Sequence, residues 1–243
     1  MTGASAPMSA KRWKRLSFEC DLWEKGVSFV AGVDEAGCGP LAGPVVAAAV
    51  LFPCHWLQEG LLTKLRGLND SKQLTEEDRE RFYKVITTHP EIRFGIASVD
   101  SEMIDQINIL RAAHRAMQLA LDQLNPQAQH VLVDGRPVKS LQVPHTPLVK
   151  GDCRSYSIAA ASVLAKVTRD RMMQEMDRLY PGYAFGEHKG YSTPQHLALL
   201  AKLGPSPIHR RSFSPCRPPE PDLFDSIEPI SPDQGVQNPT PST

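Results

Sequence analysis

Residues 29–50 read FVAGVDEAGCGPLAGPVVAAAV. FVAGVD (29–34) is an apolar run of strand length, and PVVAAAVLF (44–52) is a second. GCGPLAG (37–43), which joins them, is long for a hairpin loop. Asp34 and Glu35 stand side by side where the first run ends. Neighbours on a strand point to opposite faces, so one ligand can meet both only if the strand breaks its pleat there. Gly37 and Gly39 have no Cβ and would allow that break. They would also let a ligand come close to the main chain.

Two more acids share the setting. Asp134 follows HVLV (130–133), and Asp152 follows PLVKG (147–151). The ends of strands are where α/β sheets bind ligands. Taken alone, Asp152 reads best as a helix-cap or turn acid. Taken together, Asp34, Glu35, Asp134 and Asp152 would repel one another and resist ionisation. A divalent cation resolves the conflict, and carboxylate oxygens suit Mg2+ or Mn2+. No His or Cys set has zinc spacing.

The remaining elements can be placed from their periods. WKRLSFECDLW (13–23) is a short amphipathic leading helix, and LTEEDRERFYKVITTH (74–89) is a helix with Thr75 as N-cap and three acids in its first turn. FGIASVD (94–100) and HVLVD (130–134) are strands. Residues 101–124 hold one or two helices with an apolar stripe at Ala113, Met117, Ala120 and Leu124. SIAAASVLAKVTRDRMMQEMDRLY (157–180) is a long helix whose small early residues let it lie close to a sheet, and Thr193–Pro194 starts a last helix. The body is therefore α/β and, at this length and 41% apolar content, a single domain.

Composition narrows the setting. Five cysteines, odd in number and without a CxxC pair, argue against a disulfide framework and fit a reducing cytoplasm. The N-terminus lacks the apolar core of a secretory signal, and the longest apolar run is too short to span a bilayer. Net charge is zero, but five acids and no base lie from Pro218 onward. Taking those five from the 27 acids leaves 22 against 27 bases, a body near +5. Seven prolines in 218–243 and the lack of any period mark those residues as disordered. The expected division is an extension over 1–27, a catalytic domain over 28–213 and an acidic tail over 214–243.

Five stretches in order carry a resemblance. They are VDEAGCGPLAGPV (33–45), NDSKQLTE (69–76), VDG (133–135), KGD (150–152) followed by SIAAASVLAKVTRD (157–170), and FGEHKGYSTPQH (185–196). Over about Val30 to Ser212 the chain resembles bacterial ribonuclease HII, the type 2 ribonuclease H. The resemblance implies a ribonuclease H-like mixed sheet flanked by helices, with a small helical C-terminal region. It implies a metal-dependent endonuclease that cuts RNA paired with DNA and nicks DNA duplexes at single embedded ribonucleotides. It places the family's catalytic, metal-binding carboxylates on Asp34, Glu35, Asp134 and Asp152. Two ions roughly 4 Å apart would serve the reaction, leaving a 5′-phosphate and a 3′-hydroxyl. The Gly37–Cys38–Gly39 loop would read the 2′-hydroxyl largely through main-chain groups. Tyr191 would stack on the sugar at the junction, Lys72 would bind phosphate, and Lys189 would belong to the same nucleic-acid loop. A monomer in the cytoplasm is the implied state.

One position departs from the family. Gly-Arg-Gly is usual where this chain has Gly37, Cys38 and Gly39, and a cysteine supplies neither the charge nor the forked donors of arginine. Both glycines remain, so junction cutting is expected to survive with weaker phosphate binding. Several other residues keep two readings. His188 is a proton carrier or a backbone partner. Lys166, Arg169 and Arg171 are a solvated face or phosphate contacts, and Asp170 is best paired with a nearby base. In the tail, Leu223 and Phe224 resemble a peptide that docks on the replication sliding clamp, although Glu220 stands where glutamine is usual; a solubilising tail is the plainer reading. A binding protein that kept the fold, and a hydrolase of small phosphates, are the rival functions.

Overall fold

The computed structural model describes residues 14–59 and 61–217. A 3-10 turn at Lys14–Leu16 opens into α1 (Ser17–Glu24), then β1 (Val30–Ala36), β2 (Val45–Leu51) and the one-turn α2 (Trp56–Glu59). There follow α3 (Glu76–Thr88), β3 (Arg93–Val99), α4 (Ser101–Ile107), α5 (Ile109–Leu121), β4 (His130–Asp134) and β5 (His145–Leu148). The long α6 (Tyr156–Leu179) leads to α7 (Phe185–His188) and α8 (Pro194–Leu203). Among the described residues no helix is long and apolar enough to cross a membrane.

The strands form one mixed sheet in the order β3-β2-β1-β4-β5. β1 runs antiparallel to β2 and parallel to β4; β2–β3 is antiparallel and β4–β5 parallel. Every residue of β2 is buried, as befits a strand covered on both faces. Val46, Ala48 and Val50 meet α6 in one core layer, and Val45, Ala47 and Ala49 meet α5 in the other. Alanine on both faces lets the two helices approach the sheet closely. Glycines mark the closest approaches: a Cβ at Gly32 would lie 2.2 Å from the Ser157 carbonyl carbon in the first turn of α6, and one at Gly95 would lie 2.0 Å from the Ala120 carbonyl oxygen of α5.

Side chains close the helix ends as the sequence predicts. The Thr75 hydroxyl accepts from the Asp78 N–H, and Thr193 accepts from the His196 N–H ahead of Pro194. Ser155 does the same for α6, accepting from Ile158 at 3.2 Å. Such caps are worth about 1 kcal/mol each. Ala113, Met117 and Ala120 on α5 are buried as expected, and so is Leu124, which falls just beyond the helix end at Leu121.

Two expectations need correction. β5 is a fifth strand in a stretch read only as the approach to α6. It is short, it sits at the sheet edge, and Pro147 interrupts its donors, so no alternation marks it. The pleat of β1 also does not break at the acidic pair. Its pairing with β2 continues through Asp34↔Ala48, Glu35↔Ala47 and Ala36↔Val46.

Candidate active site

A cleft of about 500 Å3 opens at the end of β1 and β4. Asp34, Glu35, Asp134 and Asp152 all line it. The parallel register that sets Val33 beside Val133 brings Asp34 and Asp134 to adjacent strand ends. β5 then returns the chain beside Asp134, whose Oδ1 accepts from the Gly151 N–H at 2.6 Å. That bond fixes the turn carrying Asp152, which in turn accepts from the Cys153 N–H at 2.8 Å.

Asp34 and Glu35 reach the same cleft from opposite faces of the sheet. Asp34 lies on the α6 side, 6% exposed, hydrogen-bonded to Ser162. Glu35 lies on the α5 side, where the Cys38 thiol donates to its Oε1 at 3.5 Å. At the end of a sheet a cleft can wrap around the strand tip, so no break in the pleat is needed. Gly37 is nonetheless conformationally demanding, with φ of +97° and Arg169 Nε only 2.1 Å from where a Cβ would stand. Gly39 is different: its φ is not positive and a Cβ would meet nothing within 4 Å. The protein itself therefore has room for a side chain at Gly39.

The charges are poorly compensated. Burial, followed by the charges of Glu35 and Asp134, holds the Asp34 carboxyl well above the usual range. Burial also raises Glu35, against the hydrogen bond from Cys38. Asp152 is raised by burial and then by Asp134 and Asp70. Carboxylates gathered this way with so few donors fit a divalent cation held by hard oxygens. Thiolate ligation is disfavoured, since burial pushes the Cys38 thiol up to about 12 and also raises Cys153.

Among the described residues, one set of three potential ligand atoms converges within 4.8 Å, from Asp70, Asp152 and Cys153. Asp70 was missed in the sequence, although it stands in the NDSK stretch beside Lys72. Ser71, Ser162 and Lys166 also line the cleft. The Ser71 and Ser162 hydroxyls lie 3.0 Å apart and tie the loop before α3 to α6.

The other singled-out residues divide. Lys72 and Tyr191 line the cleft, and Tyr191 is 40% exposed. The Lys189 ammonium instead bonds the Gly186 carbonyl and forms no part of the cleft wall. His188 is a backbone partner: Nε2–H donates to the Tyr183 carbonyl at 2.7 Å and Nδ1 accepts from Gly190. Lys166 pairs with Asp170 at 2.7 Å, and Arg171 pairs with Glu80. Arg169 fits neither of its sequence readings. It is 1% exposed and bonds carbonyl groups inside the protein. Leu223 and Phe224 lie outside the described residues.

Comparison with known proteins agrees with this geometry. The ribonuclease HII family model matches residues 31–216. A ribonuclease HII of Ruminiclostridium cellulolyticum is 50% identical over 200 residues, covering 82% of this chain and 75% of that protein. A ribonuclease HII of Anaeromyxobacter sp. is 48% identical over 202 residues, covering 83% of this chain but 62% of that longer protein. The crystal structure of ribonuclease H2 from Pyrococcus horikoshii OT3 superposes with a TM-score of 0.62 at 30% identity, covering 78% of this chain and 95% of that one. The fold shared with ribonuclease H2 and a cleft lined by four carboxylates define a metal-dependent ribonuclease H. The chain belongs to the ribonuclease HII family, whose members cleave the RNA of RNA–DNA hybrids.

Proposed function

We propose that this chain is an endonuclease that cuts the RNA strand of hybrids and nicks on the 5′ side of single ribonucleotides embedded in duplex DNA. The observation that carries this reading is one cleft lined by the four carboxylates, the Gly37–Gly39 loop and Tyr191 together. Asp34, Glu35, Asp134 and Asp152 would hold Mg2+ or Mn2+. Bound ions would supply an activated water and stabilise the leaving oxygen, giving 5′-phosphate and 3′-hydroxyl ends.

The chain's own residues do the selecting. Lys72, exposed at the cleft wall, offers an ammonium to a backbone phosphate. Tyr191 offers a ring face to a sugar or base. The loop at Gly37–Gly39 offers main-chain groups to the 2′-hydroxyl, the atom that separates RNA from DNA. Cys38 leaves those groups in place, so the enzyme needs no arginine side chain there to tell ribose from deoxyribose. The role we infer is removal of ribonucleotides and hybrids from DNA, in a cytoplasm whose reducing character suits five free cysteines.

The test is a DNA duplex with one ribonucleotide, incubated with Mg2+ and then Mn2+, beside an Asp134→Asn control. Nicking 5′ of the ribonucleotide, lost in the control, is expected. Cutting of a long hybrid without nicking of the single ribonucleotide would restrict the enzyme to hybrids. Cutting of neither would overturn the reading.

A further inference from the structure

Two arginines lie behind the cleft without an ion-pairing acid among the described residues. Arg169 is 1% exposed and Arg210 is 0% exposed. Their donors are filled by main-chain carbonyls. Arg210 bonds the oxygens of Gly37 at 2.6 Å, Cys38 at 3.1 Å and Gly43 at 2.9 Å. Arg169 bonds Pro44 at 2.9 Å, Ala42 at 3.1 Å and Lys189 at 3.0 Å. Burial lowers Arg210 to about 10, which still leaves it charged at neutral pH.

The two carbonyls at Gly37 and Cys38 determine where the loop's donors point. Both following peptides are trans, and in a planar trans peptide the N–H points opposite to the C=O. Drawing the Gly37 and Cys38 oxygens back onto Arg210 therefore turns the N–H groups of Cys38 and Gly39 the other way. Both residues line the cleft. Among the described residues, neither N–H has a hydrogen-bond partner. Two consecutive free N–H groups aimed the same way form a small cradle for an electron-rich oxygen. A cation on the carbonyl side also polarises those peptides and strengthens them as donors.

We propose that Arg210 is the positioning residue for ribose recognition: it orients and polarises the Cys38 and Gly39 N–H groups into a two-donor cradle for the 2′-oxygen of the substrate. Arg169 complements it by tying the same loop to the Lys189 carbonyl. Its guanidinium carbon lies 5.7 Å from the Tyr191 ring centre, so it fixes the distance between the reader of ribose and the stacking ring. The cationic charge missing at Cys38 is thus supplied from behind the loop rather than from its tip. This inference rests on the function proposed above.

The test compares the full-length, metal-loaded protein with its Arg210→Met and Arg210→Lys variants. Readouts are kcat and KM on the single-ribonucleotide duplex, Ki for an all-DNA duplex of the same sequence, and melting temperature. Arg210→Met is expected to lose about tenfold or more in kcat/KM, with Ki unchanged; Arg210→Lys recovers part of the loss. The melting temperature falls in either case, because three carbonyls lose their donor; a merely structural role would raise Ki for all-DNA in step with the loss on the ribonucleotide duplex. A folded Arg210→Met that keeps its preference for ribose would overturn the proposal. If Arg210→Met does not fold, amide spectra of the wild-type protein decide. Resonances of Cys38 and Gly39 that shift with the ribonucleotide duplex but not with all-DNA support the cradle, and equal shifts overturn it. Failure of the wild-type protein to cut either substrate would instead remove the function on which the inference rests.

Discussion

The acids at the tip of β1 and the arginines behind the next loop are both buried charges, and they are handled in opposite ways. Asp34 has other carboxylates as its charged neighbours, and its ordinary ionisation is suppressed. Among the described residues Arg169 and Arg210 make no ion pair, yet six carbonyl oxygens fill their donors. A buried charge satisfied by its own chain builds the frame. A buried charge opposed by its own chain is complete only when a ligand arrives. Five of those six carbonyls lie within a dozen residues of Asp34 along the β1–β2 connection, so the frame holds the site directly.

The contrast can be broken most sharply at Asp34. Asp34→Asn is expected to lower turnover by about 10²–10³-fold or more, yet to raise the melting temperature in chelator. Each kcal/mol of repulsion relieved should appear as roughly 2–4 °C. A variant that melts below the wild type would show that the acids are not in conflict. The converse substitution, Arg169→Met, leaves three carbonyls without a donor and should cost about 3 kcal/mol by urea unfolding. An unchanged midpoint would show that water replaces the guanidinium freely.

A smaller effect sharpens the comparison beside Arg210. His209 is 1% exposed; its Nδ1 accepts from the Ser206 N–H and its Nε2–H donates to His196, 3.0 Å away. Burial, then the neighbouring His196, lowers it to about 4. The folded pKa lies below the unfolded one, so the unfolded chain binds the extra proton between the two. The stability linked to neutral His209 is full above pH 6.5 and lost as pH falls toward 4, up to about 3 kcal/mol. His209→Gln should flatten the stability curve over that window relative to wild type. The raised acids slope the other way, so the difference between the two proteins is the quantity to read.

Much of this was legible in the chain. Apolar runs with acids at their ends placed β1, β2 and β4 and picked out Asp34, Glu35, Asp134 and Asp152, because strand ends and charge repulsion are local facts. Thr75, Thr193 and Pro194 announced their caps for the same reason. Arg169 could not be read. On a helix rich in charge it looks like any exposed base, and only the packing of the β1–β2 loop and the Lys189–Tyr191 turn against it closes the space around it. Asp70 was missed because its proximity to Asp152 spans more than eighty residues. β5 was missed because an edge strand with proline carries no alternation.

The sequence by itself determined the α/β class, the order of the elements apart from β5, and the four carboxylates that line the cleft. It also marked Cys38 as a departure. Only the tertiary structure decided that Asp34 and Glu35 meet in one cleft without breaking the strand, that Gly37 is required by its backbone while Gly39 leaves open room, and that Arg210 stands behind Cys38. The reason is range. Propensity, capping and apolar period act over a few residues, whereas desolvation and main-chain hydrogen bonding to a distant guanidinium exist only once the chain has packed.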